Sequence, residues 1–310
     1  MKSSAQLALI AAFCISSGCV HGSSYRRFED VEYGYAAERV VRSKRARIDI
    51  WVAEAGNSES SAMPLVLLHP WAGNMLIWRD IIGQLGDRRI VLLDLPGHGK
   101  SGKPPGGYPM RRLGLAVDDV MGQVGLERAV IIGNSLGGAT ALQLALTSPS
   151  RVAGLVVIGA PGGEQIPTFV RRSVRSATRP NHIATLSDEL AMIMARVVCR
   201  SDSPTVVRLI SDWVGLKGTE DWRRHASALS AILRDVVDWR PKLERIVAPV
   251  MVVQGSADIV VWPWTGRKLA ARLPNGELAY IQGCGHVPQL ECPKALLSSV
   301  LPFLEQFDGL

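Results

Sequence analysis

The chain has 310 residues, 47% apolar and 20% charged, with a formal net charge of +7. It is too long for a minimal domain and too short for two large ones, and its balance is that of a soluble, well-cored protein, so one α/β domain carrying an insertion is the economical reading. The positive charge lies in clusters such as Arg42 to Arg47 and Arg171-Arg172 with no aromatic interleaving and no nucleic-acid-binding motif. It reads as a solvated face with no nucleic-acid partner, weak attraction to an anionic membrane being an open alternative.

At the N-terminus, Met1-Lys2 leads into an apolar run from about Leu7 to Ile15 and then Ser16-Ser17-Gly18-Cys19. Residues 1–18 read as a signal peptide, too short to span a bilayer comfortably. Small residues directly before a cysteine resemble the bacterial lipobox, which implies lipid attachment at Cys19, export, and an anchor in a membrane of the cell envelope. Ser16 departs from the Leu, Val or Ile preferred there, Ile15 lying one place further back, so cleavage nearby and release is the alternative. Val20 instead of aspartate resembles an outer-membrane address, facing the periplasm, if the source is Gram-negative.

Residues 19–45 read as a lipid-anchored tether followed by a first edge strand near Arg39-Val40-Val41. Strands are then predicted near Ile48 to Ala53, Pro64 to His69, Arg89 to Leu93, Ala129 to Gly133, Gly154 to Gly159, Pro249 to Gln254 and Glu277 to Ile281. Their continuous apolar character predicts a buried, mostly parallel sheet flanked by helices. The helices are read at Met75 to Leu85, Met110 to Val124, Leu136 to Thr147, Gly266 to Leu273 and Pro293 to Phe307. From 161 to 245 the alternation stops and helical spacing takes over, around Thr168 to Ala177, Ser187 to Cys199, Pro204 to Val214 and Thr219 to Val237. This is an insertion between the sixth and seventh strands, with 46–160 and 246–310 as the core. There is no internal repeat or low-complexity tract.

The chemistry concentrates at strand ends. Val130 to Gly133 runs into Asn134-Ser135-Leu136-Gly137-Gly138, and glycines two places either side of a serine allow a sharp strand-to-helix turn that presents its hydroxyl at a helix N-terminus. Val250 to Gly255 leads into Asp258, and Leu278 to Ile281 into His286, both just past strand ends where the ligand sites of open parallel sheets collect. Leu65 to Leu68 ends in His69-Pro70-Trp71, and Ile90 to Leu93 in Asp94 to Ser101. At five places in the correct order the chain resembles the α/β-hydrolase superfamily, from about Ile48 onward, and the insertion falls where that family carries a helical cap.

The resemblance implies a Ser135–His286–Asp258 triad acting on an acyl carbonyl, with the backbone N–H groups of Leu136 and Trp71 as the oxyanion hole. Pro70 replaces the family glycine of the oxyanion loop and removes one N–H, but the donor would be Trp71. His69 is assigned to ordering that loop and His98 to a tight turn. Gly99-Lys100-Ser101 is no phosphate-binding loop, because Asp94 stands where that motif needs glycine. Trp262-Pro263-Trp264 would either reach the site or, in the favoured reading, pack.

Beyond Cys14 and Cys19 the chain has Cys199, Cys284 and Cys292, with no Cys-x-x-Cys pair for a structural zinc. Cys284 and Cys292 bracket His286, and two unpaired small residues are favoured over a disulfide. No metal or other cofactor is implied. A serine at the elbow argues against the dehalogenase and epoxide-hydrolase branches, which use aspartate there. The elbow run and Gly159 to Gly163 are locally similar to the hydrolases of meta-ring-fission products. Those carry a glycine-rich oxyanion loop and a tryptophan after the catalytic histidine, where this chain has His69-Pro70-Trp71 and Val287. The expected activity is hydrolysis of small-molecule carboxylic esters with small or medium apolar acyl groups. Carbon–carbon bond hydrolysis is the alternative, and a catalytically silent binding protein a remote one.

Overall fold

The computed structural model describes residues 27–162, 168–185, 198–201 and 203–309. The leader, Cys19 and most of the helix expected from Ser187 to Cys199 lie outside the described residues. In chain order the elements are β1 (Ala37–Ser43), β2 (Ile48–Gly56), β3 (Leu65–Leu68), α1 (Arg79–Ile82), β4 (Arg89–Leu93), α2 (Met110–Gln123), β5 (Ala129–Asn134), α3 (Leu136–Thr147) and β6 (Val152–Ile158). There follow α4 (Thr168–Ala177), α5 (Pro180–Ala184), α6 (Pro204–Leu216), α7 (Glu220–Asp238), β7 (Val250–Gly255), α8 (Pro263–Ala271), β8 (Gly276–Ile281), α9 (Pro288–Glu291) and α10 (Pro293–Glu305).

The strands form one eight-stranded sheet in the order β1-β2-β4-β3-β5-β6-β7-β8. β1 and β2 enter antiparallel, and every pairing from β4 to β8 is parallel. The central strands β3, β5, β6 and β7 are buried at every position, because helices cover both faces and neither face tolerates a polar alternation. Within β3, Val66 and Leu68 join the cluster under α2 and α3, while Leu65 and Leu67 join the opposite one with Trp78, Ile81 and Phe303. That is the two-residue period of a strand dividing one apolar run between two cores.

This is an α/β-hydrolase fold, and three local departures from the sequence reading have clear causes. The expected helix from Met75 to Leu85 is a 3-10 turn, Met75–Trp78, capped by the Asn74 side chain and running into the short α1, which stops at Gly83. α8 begins three residues earlier than expected, at Pro263, a residue preorganised for the first turn of a helix. Where the sequence reads as a tether, Phe28, Val31 and Tyr33 are buried; the Phe28 amide donates to Asp221 Oδ2 at 2.8 Å and the Tyr33 hydroxyl to Asp94 Oδ2 at 2.7 Å.

The described helices of the insertion lie over the loops that follow β3 and β4. α7 makes the closest approach: Gly97, at φ +82°, has so little room that a Cβ there would stand 2.9 Å from the Ala228 methyl. The Trp71 indole N–H donates to Leu229 O at 3.0 Å, and Thr205 Oγ1 to Asp80 Oδ1 at 2.7 Å.

The favoured reading of Cys284 and Cys292 as separate residues is corrected. They form a disulfide, with Cα atoms 6.1 Å apart, because the loop after β8 doubles back through α9 and brings two residues eight apart within bridging distance. Cys199 is a free, buried thiol. Alkylation of the denatured, unreduced protein should therefore consume only Cys199 of these three, and the pair Cys284→Ser with Cys292→Ser should lower the unfolding free energy by about 2–3 kcal/mol, the value for closing so short a loop. Three alkylated thiols would refute the bridge.

Candidate active site

Ser135 stands between β5 and α3 with φ 53° and ψ −111°, a left-handed backbone that a residue with a Cβ adopts only when its surroundings enforce it. The enforcement is steric. A Cβ on Gly133 would lie 2.3 Å from the carbonyl carbon of Gly137, and one on Gly137 would lie 2.1 Å from Leu68 O and 2.8 Å from His69 O. The turn is thus wedged against the start of the loop after β3, and the Ser135 amide is tied to Ile158 O at 2.8 Å. Leu136 opens α3, so its N–H has no carbonyl one turn behind it.

The loop after β3 is fixed by His69. Its Nδ1–H donates to Pro70 O at 2.8 Å, while Nε2 accepts the Leu95 amide at 2.9 Å, which sets the tautomer. Burial pushes this imidazole down to about 4. Ala72, at φ 62°, and the Gly73 amide bonded to Pro70 O complete a tight turn around Trp71.

On the neighbouring strand ends, His286 Nδ1 and Asp258 Oδ2 are 2.8 Å apart, both side chains almost wholly buried. Gly159 makes room for them, since a Cβ there would lie 3.1 Å from Asp258 Oδ2 and 3.2 Å from His286 Nδ1. Asp258 Oδ1 accepts the amides of Val260 and Val261 at 2.8 and 2.9 Å, so the carboxylate is oriented by its own loop as well as by the histidine. Ser135, His286 and Asp258 therefore share one end of the sheet, at the C-terminal ends of β5, β8 and β7.

Four supporting residues escape motif reading. Asn134 Nδ2 donates to Ile158 O and to His286 O, both at 3.0 Å, and its Oδ1 accepts from Gln289 at 3.1 Å, which ties the elbow to the histidine loop. Gln254 Nε2 donates to Asp258 Oδ2 at 3.1 Å. Glu291 accepts the amides of Gly285 and Val287, at 3.0 and 2.8 Å, one on each side of His286. Asn134 lies inside the elbow motif and Glu291 beside Cys292, but nothing in the chain order says what they touch.

Other features of the sequence lie elsewhere. Lys100 sits over the rings of Tyr33 and Trp51, 4.6 Å from each centroid, and Ser101 Oγ donates to Asp94 O at 2.6 Å, a structural turn. The favoured reading of Trp262 and Trp264 as packed in the interior is corrected: they stand 55% and 51% exposed, in contact with each other at 4.4 Å between ring centroids. A cleft of about 710 Å³ between Phe28, Arg47, Lys103 and Arg224 is lined by none of Ser135, Asp258 and His286. No group of three or more His, Cys, Asp or Glu able to hold a metal occurs among the described residues.

The model of the alpha/beta hydrolase fold family matches residues 63–293, about three quarters of the chain. The chain belongs to this family. It is an enzyme, a hydrolase. Curated relatives include a pimeloyl-[acyl-carrier protein] methyl ester esterase of Nitrosospira multiformis, 28% identical over 259 residues that cover 77% of this chain and 93% of the relative. A 2-hydroxy-6-oxononadienedioate/2-hydroxy-6-oxononatrienedioate hydrolase of Cupriavidus pinatubonensis is 29% identical over 222 residues, 70% of this chain and 76% of that one. Among solved structures, a thermophilic esterase from Thermogutta terrifontis superposes with a TM-score of 0.73 over 88% of this chain and 99% of its own, at 19% identity, a likeness of fold.

In this hydrolase, a chain of buried imidazoles runs from the loop after β3 to α7. His69 and His98 have ring centroids 5.0 Å apart, and His98 and His225 5.9 Å. Burial depresses all three, His225 to about 3. Each stays neutral in the fold at pH values where the unfolded chain, with an ordinary value of 6.5, takes up a proton, so stability is full above pH 6.5 and is lost as pH falls. Asp94 opposes this: burial raises its carboxyl to about 6, so the fold holds a proton there that the unfolded chain releases. With three imidazoles against one carboxyl, the unfolding free energy should fall by about 2–3 kcal/mol between about pH 6 and pH 5. Denaturant titrations across that range check it, and His225→Gln should flatten the slope; a profile unchanged by pH would refute the neutral cluster.

Proposed function

We propose that this hydrolase cleaves carboxylic esters with small or medium apolar acyl groups through an acyl-enzyme on Ser135. The observation that carries the reading is the 2.8 Å contact of His286 with Asp258 beside a serine held at φ 53°. With Nδ1 turned to Asp258, the histidine has Nε2 left to accept the Ser135 proton as Oγ attacks the acyl carbon. Asp258 then stabilises the imidazolium, which returns the proton to the departing alkoxide. Water repeats the sequence on the acyl-enzyme and releases the acid. The amides of Leu136 and Trp71 are the donors for the oxyanion, with His69 holding the loop that carries Trp71.

Substrate size follows from α7, whose Leu229 carbonyl holds the Trp71 indole over the oxyanion loop. A roof this close limits the space for an acyl chain, so p-nitrophenyl esters of short and medium length should show higher kcat/KM than long-chain glycerides. A fluorophosphonate probe should label the enzyme and spare Ser135→Ala, and His286→Ala should lose turnover nearly as completely. Equal labelling of wild type and Ser135→Ala would refute the nucleophile. The second reading, carbon–carbon bond hydrolysis, is favoured by the 29% identical ring-fission-type relative. A dienoate turned over far better than every ester would establish it instead.

The reading places the enzyme outside the cytoplasm, anchored in a cell-envelope membrane through a lipid on Cys19, in the outer membrane facing the periplasm if the host is Gram-negative. Support comes from the short apolar leader ending in Ser17-Gly18-Cys19. Metabolic labelling with a fatty-acid analogue in a bacterial host should mark the wild type and not Cys19→Ser; an unlabelled wild type with a mature N-terminus elsewhere would mean simple secretion.

A further inference from the structure

Five large apolar side chains stand in solvent at one corner of the molecule: Ile259, Val260, Trp262, Trp264 and Tyr280, from 39% to 60% exposed. They are one surface. The first four follow Asp258 in a single loop and helix start, and Tyr280, on the edge strand β8, donates its hydroxyl to Pro263 O at 2.8 Å. Asp258 Oδ1 draws the Val260 and Val261 amides inward, so the apolar side chains of this loop are turned out. No described partner covers them.

Charge identifies what does. Arg267 and Lys268 lie three and four residues after Trp264 on the same outer face of α8, both exposed and without an ion pair among the described residues. Paired indoles and a phenol with cations directly behind them form the composition of a surface at the headgroup level of a bilayer, rings at the acyl boundary and cations against phosphate. A second copy of the chain fits worse, because a two-fold contact through this corner would set Arg267 and Lys268 against their own copies. We propose that this corner docks on an anionic phospholipid bilayer, independently of any lipid on Cys19. The corner lies at the C-terminal end of β7, the end that carries Ser135 and His286, so docking holds the active-site side of the sheet toward the membrane.

The test uses the full chain carrying Cys19→Ser, co-sedimented with vesicles of phosphatidylglycerol and phosphatidylethanolamine or of phosphatidylcholine alone. Partitioning onto the anionic vesicles should fall about tenfold or more in Trp262→Ser with Trp264→Ser, and about fivefold for each of Arg267→Gln and Lys268→Gln on anionic vesicles only. Brominated acyl chains should quench fluorescence in the parent and not in the double tryptophan variant. Thermal melting checks that each variant is folded, and the single changes Trp262→Ser and Arg267→Gln decide if the double variant is not. No vesicle binding by the parent, equal binding by folded variants, or a parent dimer that the tryptophan changes dissociate would overturn the proposal.

Discussion

At the turn from β5 to α3 there is no space between backbones: a side chain at Gly133 would run into the main chain of Gly137 and Gly138, and one at Gly137 into that of Leu68 and His69. Ser135, the residue between them, takes a conformation costing about 1–3 kcal/mol, which persists only because the surrounding structure over-determines it. The sheet supplies that surplus. β5 is buried along its whole length between β3 and β6, so neither the strand nor the helix that follows can shift to relieve the serine. Contact of the elbow with Leu68 and His69 also means that the strain at Ser135 and the placement of the loop after β3 are one feature.

The histidine is held differently, since a loop beyond an edge strand has little sheet to brace it. Three restraints replace the sheet: the Cys284–Cys292 bridge around the loop, the Glu291 carboxylate on the amides flanking His286, and the Asn134 amide on its carbonyl. The last is the most direct, because it joins His286 to the residue before Ser135. Changes in the histidine loop are therefore transmitted to the elbow through a single side chain.

The helical insertion is coupled to the same region through buried, neutral groups. His225 on α7 donates to Gly97 O, His98 packs between His225 and His69, and His69 holds the Trp71 loop. The insertion is thus joined to the loop after β3 by a row of imidazoles whose burial favours their uncharged form.

The strands and the elbow are legible in the chain itself, because their causes are local. A parallel strand covered on both faces must be apolar at successive positions, as in Leu65 to Leu68 or Val250 to Val253. A strand that turns at once into a helix needs glycine on either side of the turning residue. The position of Asp258 and His286 just past apolar runs is readable for the same reason. The rest depends on contacts between residues far apart in the chain. Whether Cys284 meets Cys292 rests on the path of α9, the partners of Asn134 and Glu291 on strand order, and the burial of Phe28 and Tyr33 on what α7 and Asp94 offer them. Trp262 and Trp264 make the point most plainly: an apolar, aromatic sequence predicts burial, but burial needs a facing surface, and only the tertiary structure shows that none of the described residues provides one.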